Sequence, residues 1–324
     1  MSSQLDMFGV PVIAPVAPTR KTRPAPRADA PKVLDEEDMA RRLEESGRYR
    51  VLRKLAPRPV AVEPRPGFPF IGVIVDTETT GLSKTEHEII EIGAIAFRYD
   101  GQGNVGDIIE VYGGLQAPSK PIPAEITVLT GITDDMVKDQ HIDMFALESL
   151  IGPADLVIAH NAAFDRPFCE RLSSIFASKA WACSNAEIDW KARGFEGSKL
   201  AYLIHQSGYF HEGHRAVDDC FALFEVLLQP TPQGKTPFAE LCKSSQRERV
   251  KIWAEFSPFD RKDALKARGY RWSAGEGSEP KAWWTEVDAE AVEAELHYLE
   301  TEIYNRSDIN LTTRRLSAVD RFKT

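Results

Sequence analysis

A short apolar run, Ile71 to Val75, constrains the fold of this chain most strongly, because it ends directly in the acidic residue Asp76. A nearly continuous apolar run of this length is typical of a strand that is buried on both faces of a sheet. Ile89 to Phe97 and Ile108 to Gly113 also have strand patterns, and turn-like stretches separate the three segments. The pattern therefore predicts a sheet that begins with three consecutive strands.

Helical patterns follow these strands and alternate with one further strand. We predict that strand at residues 155–159 and helices at residues 124–129, 144–151, 161–176, 199–206 and 216–228. Three early strands followed by alternating helices and strands are typical of an α/β domain built on a mixed sheet.

The composition limits the class of protein. The chain has 324 residues, of which 43% are apolar, and this length suggests about two domains with a full-sized core. The apolar runs are far shorter than the roughly 20 residues that cross a bilayer. No cationic stretch precedes the apolar residues Gly9 to Ala17, so a secretory signal is not expected. We therefore expect a cytoplasmic protein without a membrane span.

The cysteines point to a reducing environment. They are scattered along the chain without a C-x-x-C pair, at Cys169, Cys183, Cys220 and Cys242. This spacing argues against a zinc knuckle and against a disulfide framework. We expect reduced thiols in the core.

Charge is distributed unevenly along the chain. Residues 69–240 carry 12 basic and 25 acidic side chains, a net charge of −13, whereas residues 1–68 carry +4 and residues 241–324 carry zero. Ten of the 21 prolines lie in residues 1–68. We therefore predict a flexible, basic, Pro-rich arm at 1–68, an α/β domain at 69–232 and a small α+β module at 241–324.

The arm contains one helical pattern. Asp35 is placed to cap a helix that Gly47 ends, and Met39 and Leu43 share one face of it. The stretch Tyr49 to Leu55 that follows either docks on a neighbouring domain or stays solvated.

Paired acidic residues carry the chemistry of the α/β domain. Asp76 and Glu78 lie two apart at the end of the first strand, so the pleat directs both carboxylates to the same side. Two acids on one face repel each other, and a bound cation is their natural partner. Two further acids, Asp165 and Asp219, lie at predicted boundaries between loops and helices. Each acid alone is more often a turn or cap residue.

Three segments of the domain resemble the exonuclease motifs of the DEDDh 3′-to-5′ exonucleases, the family of the proofreading epsilon subunit of bacterial DNA polymerase III. The segments are Val75-Asp76-Thr77-Glu78-Thr79-Thr80-Gly81-Leu82, His160-Asn161-Ala162-Ala163-Phe164-Asp165 and His214-x-x-x-x-Asp219. They occur in the family's order and cover about residues 70–230. The resemblance implies an RNase H-like αβα fold. His214 in the third motif places the chain in the histidine branch of the family.

The resemblance also implies a metal-dependent mechanism. The four carboxylates Asp76, Glu78, Asp165 and Asp219 would hold two Mg²⁺ or Mn²⁺ ions, since hard cations prefer oxygen ligands. Histidine as a residue type has a pKa near 6.5, which suits proton transfer at neutral pH, and the resemblance assigns the role of general base towards the attacking water to His214. The product would be a nucleoside 5′-monophosphate.

Substrate contacts are implied in the same way. Thr79 and the backbone beside Glu78 would contact the terminal 3′ hydroxyl. Leu82 and Phe164 would pack on the terminal bases. His160 and Asn161 of the second motif would also lie at the substrate, where Asn161 would help to position the nucleotide.

The substrate itself is expected to be a DNA 3′ end, in proofreading or repair. An RNA-trimming enzyme similar to RNase T or oligoribonuclease is the alternative within catalysis, because DNA and RNA share the scissile phosphate. A non-catalytic clamp or nucleic-acid adaptor is the alternative from another class. The acidic domain lacks a basic stripe for phosphates, so we expect a weak grip and distributive digestion without a tether.

A short peptide at the N-terminus suggests such a tether. Its sequence, Gln4-Leu5-Asp6-Met7-Phe8, resembles the Q-L-x-L-F peptide with which bacterial replication proteins bind the sliding clamp. In that reading Gln4, Leu5, Met7 and Phe8 make the contacts, and an unconstrained tail is the alternative.

Residues 241–324 lie outside the resemblance. Strand patterns occur at 251–256 and 281–287, and helical patterns at 261–269 and 289–304. Four tryptophans lie in this region, at Trp253, Trp272, Trp283 and Trp284. They either form a small core or partly present a base-stacking surface beside basic residues. Those basic residues are Lys266, Arg268 and Arg271. Arg314, Arg315 and Arg321 either touch phosphate or stay solvated.

Overall fold

The computed structural model describes residues 35–230, 234–275 and 279–323. The chain divides into two compact units, one ending at Val51 and one beginning at Leu52. Among the described residues, no helix combines the length and the apolar character that crossing a bilayer requires. The clamp-like peptide at residues 4–8 lies outside the described residues.

The first unit contains helix α1 (Glu36–Glu45). The Asp35 carboxylate accepts a hydrogen bond from the Asp38 N–H at 2.7 Å, which satisfies a backbone donor that the first turn would leave free. The helix ends at Ser46, and Gly47 follows with a positive φ of 68°. The predicted helix and its cap are confirmed.

The second unit contains the remaining elements. Its strands are β1 (Arg53–Lys54), β2 (Phe70–Thr79), β3 (Ile89–Tyr99), β4 (Val105–Leu115), β5 (Leu156–Ala159), β6 (Trp181–Cys183), β7 (Tyr209–Phe210), β8 (Arg249–Ala254), β9 (Arg271–Trp272), β10 (Trp283–Asp288) and β11 (Thr313–Leu316). Its α-helices are α2 (Ala124–Thr130), α3 (Asp134–Val137), α4 (Met144–Ile151), α5 (Ala162–Leu172), α6 (Ser184–Glu187), α7 (Leu200–Gln206), α8 (Ala216–Leu228), α9 (Pro237–Ser245), α10 (Lys262–Ala267) and α11 (Val292–Tyr298).

The central sheet has the strand order β4-β3-β2-β5-β6. Strands β2, β3 and β4 are antiparallel neighbours, whereas β5 is parallel to both β2 and β6. Ile74 of β2 packs into one apolar cluster with α8, and Val73 and Val75 pack into a second cluster on the other face with α4 and α5. The predicted α/β class with a mixed sheet covered on both faces is confirmed.

One helix is shorter than its pattern predicted. The pattern covered residues 161–176, but α5 ends at Leu172 and a 3₁₀ turn follows at Ser174–Ser178. Ser173 between them is extended, and its hydroxyl accepts a hydrogen bond from the Ile175 N–H at 3.3 Å. This serine caps a new turn and does not continue the helix. The four cysteines are buried, as predicted.

Close contact between helix α8 and strand β3 requires a glycine. A Cβ atom at Gly93 would lie 2.5 Å from the carbonyl carbon of Ala216 and 2.6 Å from the Val217 nitrogen. Gly93 is also the residue that pairs with Asp76 across β2 and β3. The missing side chain therefore lets the first turn of α8 reach the sheet beside Asp76.

The arm that we predicted to be flexible as far as residue 68 contacts the domain from Arg53 onward. Strand β1 pairs in parallel with β7, and the Ala61 N–H donates to the Ile108 carbonyl at 2.8 Å. Arg58 pairs with the buried carboxylate of Glu225, and Arg65 pairs with Asp107 at 2.9 Å. The prolines keep this stretch extended, and these side chains fix it along the domain.

The C-terminal residues form a second sheet with the order β11-β8-β10-β9, and all its pairs are antiparallel. Its apolar cluster contains Ile252, Leu265 and Leu299, with Trp283 packed against it. The predicted strands and the first predicted helix of an α+β module are present, but the helix predicted at 289–304 is α-helical only in α11, between a 3₁₀ turn at Ala289–Ala291 and a π-helical turn at Leu299–Tyr304. Strands β9 and β11 were not predicted, because neither shows an apolar alternation.

The prediction that Arg321 touches phosphate or stays solvated is wrong. Its guanidinium is fully buried, pairs with the buried Glu187, and donates to the carbonyls of Ser244, Ser245 and Arg247. A charged side chain is stable in the interior only with such partners. Arg321 therefore joins the C-terminus to the α/β domain.

We predict that Gly93→Ala displaces the first turn of α8. A Cβ that meets backbone atoms at 2.5 Å has no side chain to push aside, so the helix must shift. We expect about 1–3 kcal/mol of lost stability in urea unfolding and a loss of the expected nuclease rate of about a hundredfold.

The matched control is Gly101→Ala, because the nearest atom to its added Cβ is 3.9 Å away. Equal rates for the two alanine variants would contradict the role given to Gly93.

Candidate active site

The pleat of strand β2 directs two carboxylates to the same side, near the C-terminal end of the strand. Asp76 and Glu78 alternate with the buried Thr77, and Glu78 pairs with Glu91 on β3. Ligand oxygens of Asp76, Glu78 and Asp219 all lie within 4.8 Å of one another. The structure thus brings together three of the four predicted metal ligands, from β2 and α8.

Asp219 is fixed by the loop that precedes its helix. Its Oδ2 accepts a hydrogen bond from the Arg215 N–H at 3.0 Å, and its Oδ1 lies 2.9 Å from His211 Nε2. The side chain of His211 is 5% exposed, and its Nδ1 is buried without a hydrogen-bond partner among the described residues. His211 is therefore a positioning residue for Asp219 in this structure.

Asp165, the fourth predicted ligand, is 3% exposed and points at the same strand. Its Oδ1 accepts hydrogen bonds from the Thr77 hydroxyl at 2.8 Å and the Thr77 N–H at 3.2 Å. The carboxylate lies close enough to Asp76 to raise the pKa of that residue by repulsion. It stands beside the three-residue cluster and does not join it.

Three acids of this region, Asp76, Glu78 and Asp165, have raised pKa values. Burial raises the pKa of Asp76 well above its usual range, and the charges of Asp165 and Asp219 add to the effect. Burial, followed by the charges of Asp219 and Glu91, raises the pKa of Glu78 from 4.5 to about 8. Burial also raises the pKa of Asp165 to about 7, against the opposing effect of its hydrogen bonds from Thr77.

These acids fit a divalent cation. The donor set consists of carboxylate oxygens, which are the ligands that Mg²⁺ and Mn²⁺ prefer. Without a cation, several negative charges share a site that water solvates poorly, and protonation is their alternative. The residues present therefore suit a divalent metal of the hard type.

An ion pair that was not predicted from the sequence lies next to this cluster, between the buried Glu91 and the partly exposed Arg215. Glu91, 5% exposed, accepts hydrogen bonds from Arg215 at 2.8 Å and from the Ala216 N–H at 3.0 Å. The charge of Arg215 lowers the pKa of Glu78, the only such effect among its main causes. An acid near the start of a buried strand was the available signal, because such a charge needs a partner.

The two motif histidines lie in different surroundings. His214 is exposed, has a positive φ of 65°, and makes no hydrogen bond among the described residues. His160 is held at both ring nitrogens, with Nδ1 2.8 Å from Ser184 Oγ and Nε2 2.6 Å from the Ser198 carbonyl. Burial lowers the pKa of the His160 imidazole. The ring of His160 thus supports the loop before α5.

The remaining predicted substrate residues surround the acids with different exposures. Leu82 is 82% exposed, Asn161 is exposed, and Phe164 is half-buried against Phe168 with ring centroids 5.1 Å apart. Thr79 is buried, and its hydroxyl donates to the Gly81 carbonyl at 2.7 Å. Leu82 and Asn161 are accessible to a ligand as they stand, whereas Thr79 must give up a bond.

Residues 73–227 match the model of the exonuclease family RNase_T. The epsilon subunit of DNA polymerase III from Treponema pallidum is 33% identical over 167 residues, which cover 47% of this chain and 74% of that protein. A PolC-type DNA polymerase III from Thermotoga maritima is 28% identical over 202 residues, which cover 57% of this chain and only 13% of the polymerase.

Two solved structures are similar to this chain at lower identity. Exonuclease X in complex with 5′-overhanging duplex DNA aligns with 52% of this chain and 99% of that chain, at 24% identity and a TM-score of 0.37. Exonuclease I of E. coli in a complex with single-stranded DNA aligns with 68% of this chain and 63% of that chain, at 14% identity and a TM-score of 0.44.

The sequence matches and the motif residues agree. The family model spans Asp76, Glu78, Asp165, His214 and Asp219, and the epsilon subunit is matched over most of its own length. The chain belongs to the DEDDh 3′-to-5′ exonuclease family, and its domain is similar to the proofreading epsilon subunit of bacterial DNA polymerase III.

Proposed function

We propose that this exonuclease removes nucleoside 5′-monophosphates from DNA 3′ ends with two Mg²⁺ or Mn²⁺ ions, in proofreading or repair. The observation that carries the proposal is the approach of Asp76, Glu78 and Asp219 to within 4.8 Å of one another, with Asp165 beside them. Repulsion within this group favours a bound cation over an empty site.

Each group of this chain has a separate task in the proposal. The bound ions would stabilise negative charge on the scissile phosphate as Lewis acids. Asp76, Glu78 and Asp219 would hold those ions, with Asp165 beside them as the fourth carboxylate. His214, exposed on its loop, accepts a proton from the attacking water.

The nucleotide is positioned by residues around the acids. Asn161 and Leu82 are exposed, and we propose that they contact the terminal nucleotide together with Thr79 and Phe164. His160 contributes indirectly, because its two ring contacts hold the loop that carries Asn161.

DNA is the preferred substrate in this proposal because the matched relatives are, by name, a subunit of DNA polymerase III and a PolC-type DNA polymerase III. RNA trimming remains the alternative, since the described acids act on a phosphodiester that both nucleic acids share. A net charge of −13 over residues 69–240 gives a weak grip, so digestion is distributive.

The activity is tested with one time course on four 5′-labelled substrates: single-stranded DNA, a recessed duplex, a mismatched primer and RNA. We expect Asp219→Asn to lose hydrolysis, and His214→Ala to lose about 10²- to 10⁴-fold in rate. Asp135→Asn, an exposed acid on α3, is the matched control and retains the rate.

Full hydrolysis by Asp219→Asn would indicate a different catalytic site, and no hydrolysis of any substrate by the parent would indicate an adaptor without catalysis. Faster digestion of RNA than of every DNA substrate would favour the trimming enzyme.

A second prediction concerns the stability of the metal-free protein. A carboxyl whose pKa is higher in the folded state binds more protons when folded, so its contribution to stability falls as pH rises. For Glu78 this loss runs from about pH 4.5 to about pH 8. We expect the unfolding temperature in EDTA to fall over this range and to rise by several degrees when Mg²⁺ is added at pH 8.

The variant Glu78→Gln removes one of these charges. We expect it to unfold at a higher temperature than the parent at about pH 8 in EDTA, with a smaller response to Mg²⁺. Glu125→Gln, an exposed acid on α2, is the control. If Glu78→Gln followed the parent at every pH, the carboxylates would not repel each other as described.

We also propose that Gln4, Leu5, Met7 and Phe8 bind a sliding clamp. The peptide has the amide and apolar side chains that such a cleft takes, and a tether would offset the weak grip of the acidic domain. Deleting residues 1–9 is expected to abolish clamp pull-down while leaving the rate on short DNA unchanged. Retained pull-down by the deletion would end this part of the proposal.

A further inference from the structure

An aromatic groove lies on the C-terminal sheet, outside the active site. It has a volume of about 330 Å³ and is lined by Phe256, Phe259, Trp272 and Trp283 together with Lys262 and Lys281. None of the described residues that line it is acidic. The groove therefore combines flat apolar surfaces with positive charge, in a chain whose net charge is −9.

The aromatic rings of this groove are unusually open to water. Phe256 is 97% exposed, Phe259 is 81% exposed and Trp272 is 52% exposed. Burying such rings would stabilise the fold by about 1.5–3 kcal/mol each, so a cluster of exposed rings is typical of an interaction site. Phe256 also has a positive φ of 56°, a conformation that a bulky residue adopts only at a cost.

The rings are held in place and accompanied by cations. Trp272 meets Trp283 edge to face, with ring centroids 5.5 Å apart. Lys262 Nζ lies 4.2 Å from the Phe259 ring centroid, and Lys266 Nζ lies 5.7 Å from that of Trp283. The nearby acid Asp260 lies 3.9 Å from Arg261, which partly balances its charge.

We propose that this groove binds single-stranded nucleic acid, at nucleotides other than the one in the active site. Bases have the flat faces that stack on exposed rings, and their phosphates are the partners that Lys262 and Lys281 require. The acidic domain cannot supply this grip, because residues 69–240 carry −13. The choice of ligand rests on the proposed function.

The test measures binding of the full chain to a fluorescent oligothymidylate of about 20 nucleotides in EDTA, by anisotropy. The double variant Phe259→Ala/Trp272→Ala is expected to bind at least about tenfold more weakly, since stacking on each ring is lost. Lys262→Gln/Lys281→Gln is expected to weaken binding and to reduce the slope of log K against log salt by about 1.

Matched controls come from the α/β domain. Phe145 is 84% exposed on α4, and Lys138 is exposed after α3, so Phe145→Ala and Lys138→Gln remove an equivalent ring and charge. Both are expected to keep the parent's affinity. Unfolding temperatures verify that each variant is folded.

Failure of this inference and failure of the proposed function give different results. Asp219→Asn is expected to lose hydrolysis without losing affinity in EDTA, whereas the ring and lysine variants are expected to lose affinity, so the two measurements test the two proposals separately. Affinity unchanged in the ring and lysine variants would overturn the inference. Light scattering that shows a parent dimer lost in Phe259→Ala/Trp272→Ala, with unchanged oligonucleotide affinity, would instead assign the groove to a second copy and overturn it.

Discussion

The stability of the candidate site depends on how the fold compensates for repulsion among the carboxylates that meet near the C-terminal end of strand β2. Asp76, Glu78 and Asp219 lie within 4.8 Å of one another, and burial raises the pKa of Asp76 well above its usual range. Opposing interactions are needed to keep such a group folded, because charges of one sign destabilise each other at short range. The surrounding elements provide them, and a bound cation would complete the compensation.

The pair of Glu91 and Arg215 provides one of these interactions. Glu91 receives hydrogen bonds from the Arg215 guanidinium and from the first turn of α8, so it fixes the start of the helix that carries Asp219. Gly93, two residues further along β3, lets that turn approach the sheet. A charge and an absent side chain thus determine together where Asp219 stands.

Local patterns in the sequence predicted what depends on periodicity and missed what depends on tertiary partners. The pleat that aligns Asp76 with Glu78 and the bounds of α8 follow from neighbouring residues. The bond from His211 to Asp219 did not follow, since His211 precedes the motif and its role appears only when the loop folds back. Arg321 was expected to touch phosphate or to stay solvated for the same reason, because its partner Glu187 is more than a hundred residues away in sequence.

The positions of the acidic cluster and of the aromatic groove give a physical reason for the uneven charge of the chain. Acidic residues must be concentrated where cations bind, and the same concentration repels the phosphates of a polyanionic strand. A nuclease built in this way gains affinity when its cationic and stacking groups lie elsewhere, where they do not neutralise the metal ligands. Lys262 and Lys281, beside the exposed rings of the C-terminal sheet, meet that condition. In the sequence, the acidic residues 69–240 are also preceded by residues 1–68, which carry a net charge of +4. Under the proposed function, separating the two sets of charges would allow one chain to hold both metal ions and nucleic acid.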